Sequence, residues 1–218
     1  MNLKDLGFGI VSTGLAAKLL AELRENLFQS EVPGQRCLLD IEIVRNAAFA
    51  LKPELVAGGH LLPQAVAIQA IAFDKTSAAN WKVAWHQDLM FPFASRVTSP
   101  DFRLPTLKQG VHYAQPPESV LKQLLAVRLH LDDCDATNGP LKVSPRTHRA
   151  GILKASEIAK QVISNGEFTC LAKTGEALLM HPLTLHASSQ ASQPKHRRVL
   201  HFVYHSGDPM SELWYRSV

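Results

Sequence analysis

The chain has 218 residues, 46% of them hydrophobic, with a formal net charge of +4 at neutral pH and an isoelectric point near 9.0. That is enough apolar material for one substantial core, and no run of 18 apolar residues offers a membrane span. The basic residues are dispersed, apart from Pro194 to Arg198, and aromatics do not interleave with them, so the pattern of a nucleic-acid surface is absent.

The N-terminal stretch MNLKDLGFGIVSTG lacks the apolar core of a signal peptide. Cys37, Cys134 and Cys170 are odd in number and far apart, which fits a reduced, cytoplasmic chain. Residues 12–28 place Leu15, Leu19, Leu20, Leu23 and Leu27 at helical spacing, with Ser12 or Thr13 as the expected N-cap. A second helix is expected over DIEIVRNAAFALKP, capped by Asp40 and stopped near Pro53. From about residue 64 the texture changes. Segments 65–73, 82–88, 124–133, 141–145, 168–172, 176–182, 183–189 and 197–205 all read as extended. A turn is centred on Asn138-Gly139, and ASEIAKQVISNG is a short helix ending at Gly166. The proline-rich segment 90–118 is too long for a simple turn and reads as a lid or binding loop. Phe91, Phe93, Phe102 and His112 are its candidates for a pocket wall. Two helices followed by about eight short strands imply an all-β core with a helical buttress. A double-sheet jelly roll fits, and a sandwich without a site is the alternative.

Within NWKVAWHQDLMF, His86 and Asp88 stand two residues apart, so on a strand they share a face. Chance supplies about 0.4 such triplets in a chain of this composition, so the triplet alone decides nothing. A facial iron site needs a second imidazole, and His130, His148, His181, His186, His201 and His205 are all available. Position does not choose among them.

Three blocks narrow the choice. FDKTSAANWKVAWHQDL, LHLDDCDATNGPLKVSPRTHRAG and LMHPLTLHASSQASQPKHRRVLHF, in that order, resemble the signature regions of the phytanoyl-CoA dioxygenase family. The resemblance runs from about Gln64 to Tyr204. It implies an Fe(II)- and 2-oxoglutarate-dependent oxygenase on a double-stranded β-helix, with O2 as the oxidant. The whole of 1–218 would be one such domain, helical over about 1–60, with the jelly-roll core over about 64–205.

The family pattern places the metal ligands at His86, Asp88 and His186. It places the anchor for the far carboxylate of 2-oxoglutarate at Arg197, eleven residues beyond His186. A guanidinium suits that task because it stays charged and offers a bidentate fork. Arg198 is the adjacent alternative. Ser188 resembles the hydroxyl that assists the arginine, and Gln69 matches a co-substrate-contacting glutamine of the ectoine hydroxylases. Arg128 falls at a pocket position that is aromatic in some relatives and is assigned with these residues to the co-substrate, with substrate binding by Arg128 and His130, or simple pairing with Asp132 and its neighbours, as the alternatives. His148, Arg149 and His181 are expected to be structural. The family's PGSH turn reads PRTH here, with Arg146 for a glycine. The implied reaction is hydroxylation of a small molecule with release of succinate and CO2, by a monomer or homodimer without nucleic-acid or membrane partners. A metal-binding sensor and a cupin-like isomerase or hydrolase are the rival readings.

Overall fold

The computed structural model describes residues 2–28, 34–208 and 210–218. It opens with a one-turn helix, α1 (Leu3–Leu6), then strand β1 (Phe8–Ser12) and helix α2 (Ala17–Leu27). Strand β2 (Gly34–Gln35) and a 3-10 turn at Leu38–Asp40 lead into helix α3 (Glu42–Ala57). There follow β3 (Val66–Lys75), β4 (Val83–His86), β5 (Phe91–Phe93), β6 (Arg103–Lys108), β7 (Val111–Gln115) and the short α4 (Glu118–Leu121). The rest of the chain supplies β8 (Leu124–His130), β9 (Leu141–Val143), α5 (Ala155–Asn165), β10 (Phe168–Cys170), β11 (Glu176–Met180), β12 (His186–Ser188) and β13 (Arg197–His205).

The strands form a jelly roll. A six-stranded antiparallel sheet in the order β1-β11-β8-β13-β3-β2 faces a four-stranded sheet in the order β10-β9-β12-β4. Side-chain alternation decides which residues go where. On β13, Leu200, Phe202 and Tyr204 face outward, where they pack with Leu23 and Leu27 of α2 and Val44, Ala48 and Leu51 of α3. Each fully buried aliphatic side chain there stabilises by about 1.5–3 kcal/mol. Tyr204 keeps its hydroxyl satisfied by donating to Ala48 O at 2.8 Å. Ala126, Leu178, Met180, Leu141 and Val143 face inward and pack between the two sheets at one end. The other end is closed by Ile68, Phe91, Phe93, Leu124 and Val203.

Four expectations need correction. The first helix starts at Ala17 rather than near Ser12, because Ser12 is the last residue of β1, paired with Glu176. Thr13 donates its hydroxyl to Gly175 O at 2.8 Å, and Gly14 turns the chain at φ +64. The N-terminal part is therefore not purely helical, since β1 adds an edge to the large sheet. The second helix is entered from Ile41, while Asp40 binds Arg216 and Tyr215. It also runs through Pro53 to Ala57, because Pro53 lies on the exposed face, as does Phe49, whose carbonyl receives no N–H from Pro53. Finally, segment 90–118 is not a structureless loop. It holds a third sheet, β5-β7-β6, whose hairpin turns at Gln109 and Gly110, both at positive φ. Phe93 packs on Phe102 and stacks on Trp214 at 4.8 Å, so these rings extend the cluster that closes one end of the barrel.

The Asn138-Gly139 turn ties the fold to the cavity between the sheets. Gly139 has φ +71, and a methyl there would stand 2.9 Å from Ser189 O and 3.1 Å from Lys75 Nζ. Gly110 has a similar φ of +78 but nothing within 4 Å. Gly110→Ala should therefore cost only the left-handed penalty of about 1 kcal/mol, and Gly139→Ala should cost at least about 2 kcal/mol. Chemical denaturation of the two variants checks this, and equal losses would show that the Gly139 turn is not tightly packed.

Candidate metal centre

The centre is built where β4 and β12 pair. In that antiparallel pair His86 and His186 are direct partners, and their rings lie 4.1 Å apart. A bulge between His186 and Ser188 sets Ser188 opposite Val83, so Val83 and His86, three residues apart, both face the cavity. The strand ends at His86, and Asp88 is fixed by its backbone N–H, which donates to Pro182 O at 2.9 Å. Gln87 points the opposite way and is fully engaged. Its amide donates to Gly151 O (2.8 Å) and Leu183 O (2.7 Å), and its carbonyl accepts from Leu153 N (2.9 Å). That clamp holds the two flanking ligands in place.

The donor atoms of His86, Asp88 and His186 all lie within 4.8 Å of one another. His86 Nε2 is 3.8 Å from Asp88 Oδ1, and His186 Nε2 is 3.6 Å from Asp88 Oδ2. Neighbouring ligands each about 2.1 Å from one ion would stand roughly 3.0–3.4 Å apart, so a small contraction of this set seats an ion. Each imidazole donates its Nδ1–H to the carbonyl two residues before it, His86 to Ala84 (2.8 Å) and His186 to Thr184 (2.9 Å). Both Nε2 lone pairs are thereby directed at the same point, which is the arrangement that a metal requires. Burial holds the pKa of His186 down to about 4, so it is a neutral ligand at physiological pH. For Asp88, burial pushes the pKa up, but His186, His201, His86 and Arg128 together outweigh it, and the carboxyl stays below its ordinary value. The residues present fit a divalent ion in a two-histidine, one-carboxylate set.

Around this point lies a cavity of about 230 Å3. Ser188, Arg128 and Arg197 line it, as the sequence suggests. Arg197 is 4% exposed and donates to Gly139 O, while its Nε has no partner. Its neighbour Arg198 faces outward and makes a two-pronged pair with Asp132, both contacts at 2.8 Å. Gln69 does not join the cavity wall. It sits beside a bulge opposite Val203 and Tyr204, in a separate crevice with Cys37, Pro92 and Tyr113, and its Oε1 is unpaired. Phe91, Phe93, Phe102 and His112 are likewise outside the wall. In their place stand Arg36, Ile71, Phe73, Trp81 and His201, which the sequence reading did not assign. Ile71 and Phe73 were findable as the same-face continuation of β3, and His201 as the same face as Arg197. Arg36 and Trp81 lie in connecting segments that carry no periodic signal.

The residues thought structural behave so. His148 stacks on His181 at 5.2 Å and reaches Lys4 O, and Arg149 pairs with Asp5. Arg146 adopts φ +65, so the turn survives without its glycine at a cost of about 1–2 kcal/mol.

Similar folds occur in solved structures. EctD from S. alaskensis with bound Fe is 19% identical, with a TM-score of 0.69 over 94% of this chain and 74% of that one. The epimerase SnoN, in complex with Fe3+, alpha ketoglutarate and nogalamycin RO, is 16% identical, with a TM-score of 0.66 over 97% and 91%. HygX from Streptomyces hygroscopicus, with nickel and 2-oxoglutarate, is 13% identical, with a TM-score of 0.63 over 93% and 83%. Among curated proteins nothing matches the sequence. The model of phytanoyl-CoA dioxygenase (PhyH) matches residues 22–199, most of the chain. With that match, the chain belongs to the phytanoyl-CoA dioxygenase family of Fe(II)- and 2-oxoglutarate-dependent oxygenases.

Proposed function

We propose that this protein hydroxylates an unactivated C–H bond of a small molecule, with Fe(II) held by His86, Asp88 and His186. The observation that carries the reading is the convergence of three donors beside a buried guanidinium, Arg197, that no carboxylate of the described residues pairs. When bound, iron with 2-oxoglutarate and O2 supplies the oxidising power, converting the co-substrate to succinate and CO2 while one oxygen atom goes to the substrate. The residues of the chain do the rest. Arg197 holds the far carboxylate of 2-oxoglutarate, and Ser188, on the same face as His186, adds a hydroxyl. The sheets bury His186 and Arg197, so that charge interactions are strong at the floor of the cavity, while His86 and Asp88 stay partly exposed at its mouth.

Release of succinate from 2-oxoglutarate under Fe(II), ascorbate and air tests the co-substrate chemistry. Gain of one oxygen atom by the substrate separates hydroxylation from epimerisation, the activity in the name of SnoN. No succinate under these conditions would favour a sensor or an isomerase.

Two variants test the residue roles. His186→Ala should weaken Fe(II) binding by more than the roughly 10–100-fold that loss of an outer-shell partner costs, and unchanged titration would remove His186 from the ligand set. Arg197→Ala should raise the dissociation constant for 2-oxoglutarate at least about 30-fold with metal affinity nearly intact, while Arg198→Ala changes it little. The opposite ranking in a binding titration would move the anchor to Arg198.

A further inference from the structure

Two guanidiniums are buried in the cavity, and the co-substrate accounts for one. Arg128 stands on the inner face of β8, 8% exposed. Its Nη1 donates to His201 Nδ1 at 3.2 Å, and the group lies 5.4 Å over the Phe73 ring, but its Nε has no partner. Among the described residues neither Arg128 nor Arg197 forms an ion pair, whereas Arg149, Arg198 and Arg216 each hold an aspartate. Burial, and then the charge of Arg197, draws the pKa of Arg128 down to about 10, which leaves it charged at neutral pH. His201 does not neutralise it. Burial and Arg128 itself hold that imidazole near pKa 3, as a neutral acceptor.

Counting Asp88, the ligands and the buried arginines that line the cavity, the charges then balance except for one. A divalent ion and Arg197 bring three positive charges, and Asp88 and the two carboxylates of 2-oxoglutarate bring three negative ones. Arg128 is the surplus. An isolated buried charge is costly, and an anion in contact with it offsets that cost. Arg36, also on the cavity wall, adds to the same field.

We infer that Arg128 receives the acidic group of the prime substrate, so that this protein oxidises a small organic carboxylic acid whose body rests on Phe73 and Trp81. This rests on the proposed 2-oxoglutarate site and moves Arg128 from the co-substrate to the substrate. The two aromatic rings favour an apolar body. A cavity of about 230 Å3, shared with the co-substrate, is smaller than the roughly 300–1,000 Å3 of most ligand pockets, and so it limits how much of that body enters.

The test is calorimetric titration of the Mn(II)-loaded protein saturated with 2-oxoglutarate, which reads binding without turnover. The probes are propionate, hexanoate and 3-phenylpropionate, each beside its primary amide. At least one acid should bind about 10-fold or more tightly than its amide, as a charge-assisted contact does. Arg128→Gln should erase that preference while keeping 2-oxoglutarate affinity within about 3-fold, and Arg128→Lys should retain the preference because it keeps the charge. Three acids that bind no better than their amides would overturn the inference. So would a loss of about 10-fold or more in 2-oxoglutarate affinity in Arg128→Gln, which would return Arg128 to the co-substrate. Failure of 2-oxoglutarate to bind the loaded wild-type protein would instead overturn the site reading, and this inference with it.

Discussion

The pairing of β4 with β12 is the constraint on which the site depends. An antiparallel ladder holds directly opposed residues within about 4.5–5.5 Å, so making His86 and His186 partners brings two imidazoles together without any flexible connection. The carboxylate comes from just beyond the end of one of those strands, and its place is fixed by backbone and by the buried amide of Gln87. Each imidazole is orientated by the carbonyl two residues earlier in its own strand. The ligand geometry is thus mostly a property of backbone hydrogen bonding, which is difficult to disturb by changes at the surface.

The large sheet supplies the opposite requirement, a concentration of positive charge. Inner positions of β8 and β13 carry Arg128, His130, Arg197 and His201 where a jelly-roll interior otherwise takes aliphatic residues. Burial, then Arg128 and Arg197, push the pKa of His130 down to about 3, so the histidines stay neutral and the arginines carry the charge. Lys75 extends the same patch. Desolvation first, and then Arg197, lower its pKa to about 8, and it donates to Ser189 O at 2.7 Å. Such an interior is unfavourable until anions arrive, which converts ligand binding into a gain in stability.

How much of this was legible in the sequence depended on whether a signal was local. In RRVLHFVYH alternation puts Arg197 and Arg198 on opposite faces, and the eleven-residue spacing of the family pattern selects Arg197, the one that lines the cavity. All eight extended segments became strands because each carried apolar alternation or a buried run. His186 was another matter. Six histidines were available, and only the resemblance of whole blocks singled it out. Strand β1 was missed because FGIVS is five residues long and lies next to a helical leucine pattern that absorbs its end. The small sheet was missed because β6 is exposed along its length and leaves no burial pattern to read. Gln69 lies beside a bulge and opens to a neighbouring crevice, and Arg36 and Trp81 reach the cavity by routes that only the tertiary fold defines.

The position of β13 in the large sheet carries a consequence for assembly. It lies between β8 and β3, yet it follows both in the chain, and also follows all three metal donors. Until it inserts, β3 and β8 each present an unpaired edge, and their pairings to it span more than 60 residues of sequence, as for Leu200 with Leu129 and with Ala72. Contacts of such long range form late. A nascent chain therefore carries all three donors, His86, Asp88 and His186, before it has a closed interior to shield them, and an ion captured by a half-built barrel would lie open to solvent. Insertion of this one strand completes the sheet and brings the buried Arg197 to the cavity in a single event, so that the cavity gains this charge only as the barrel closes.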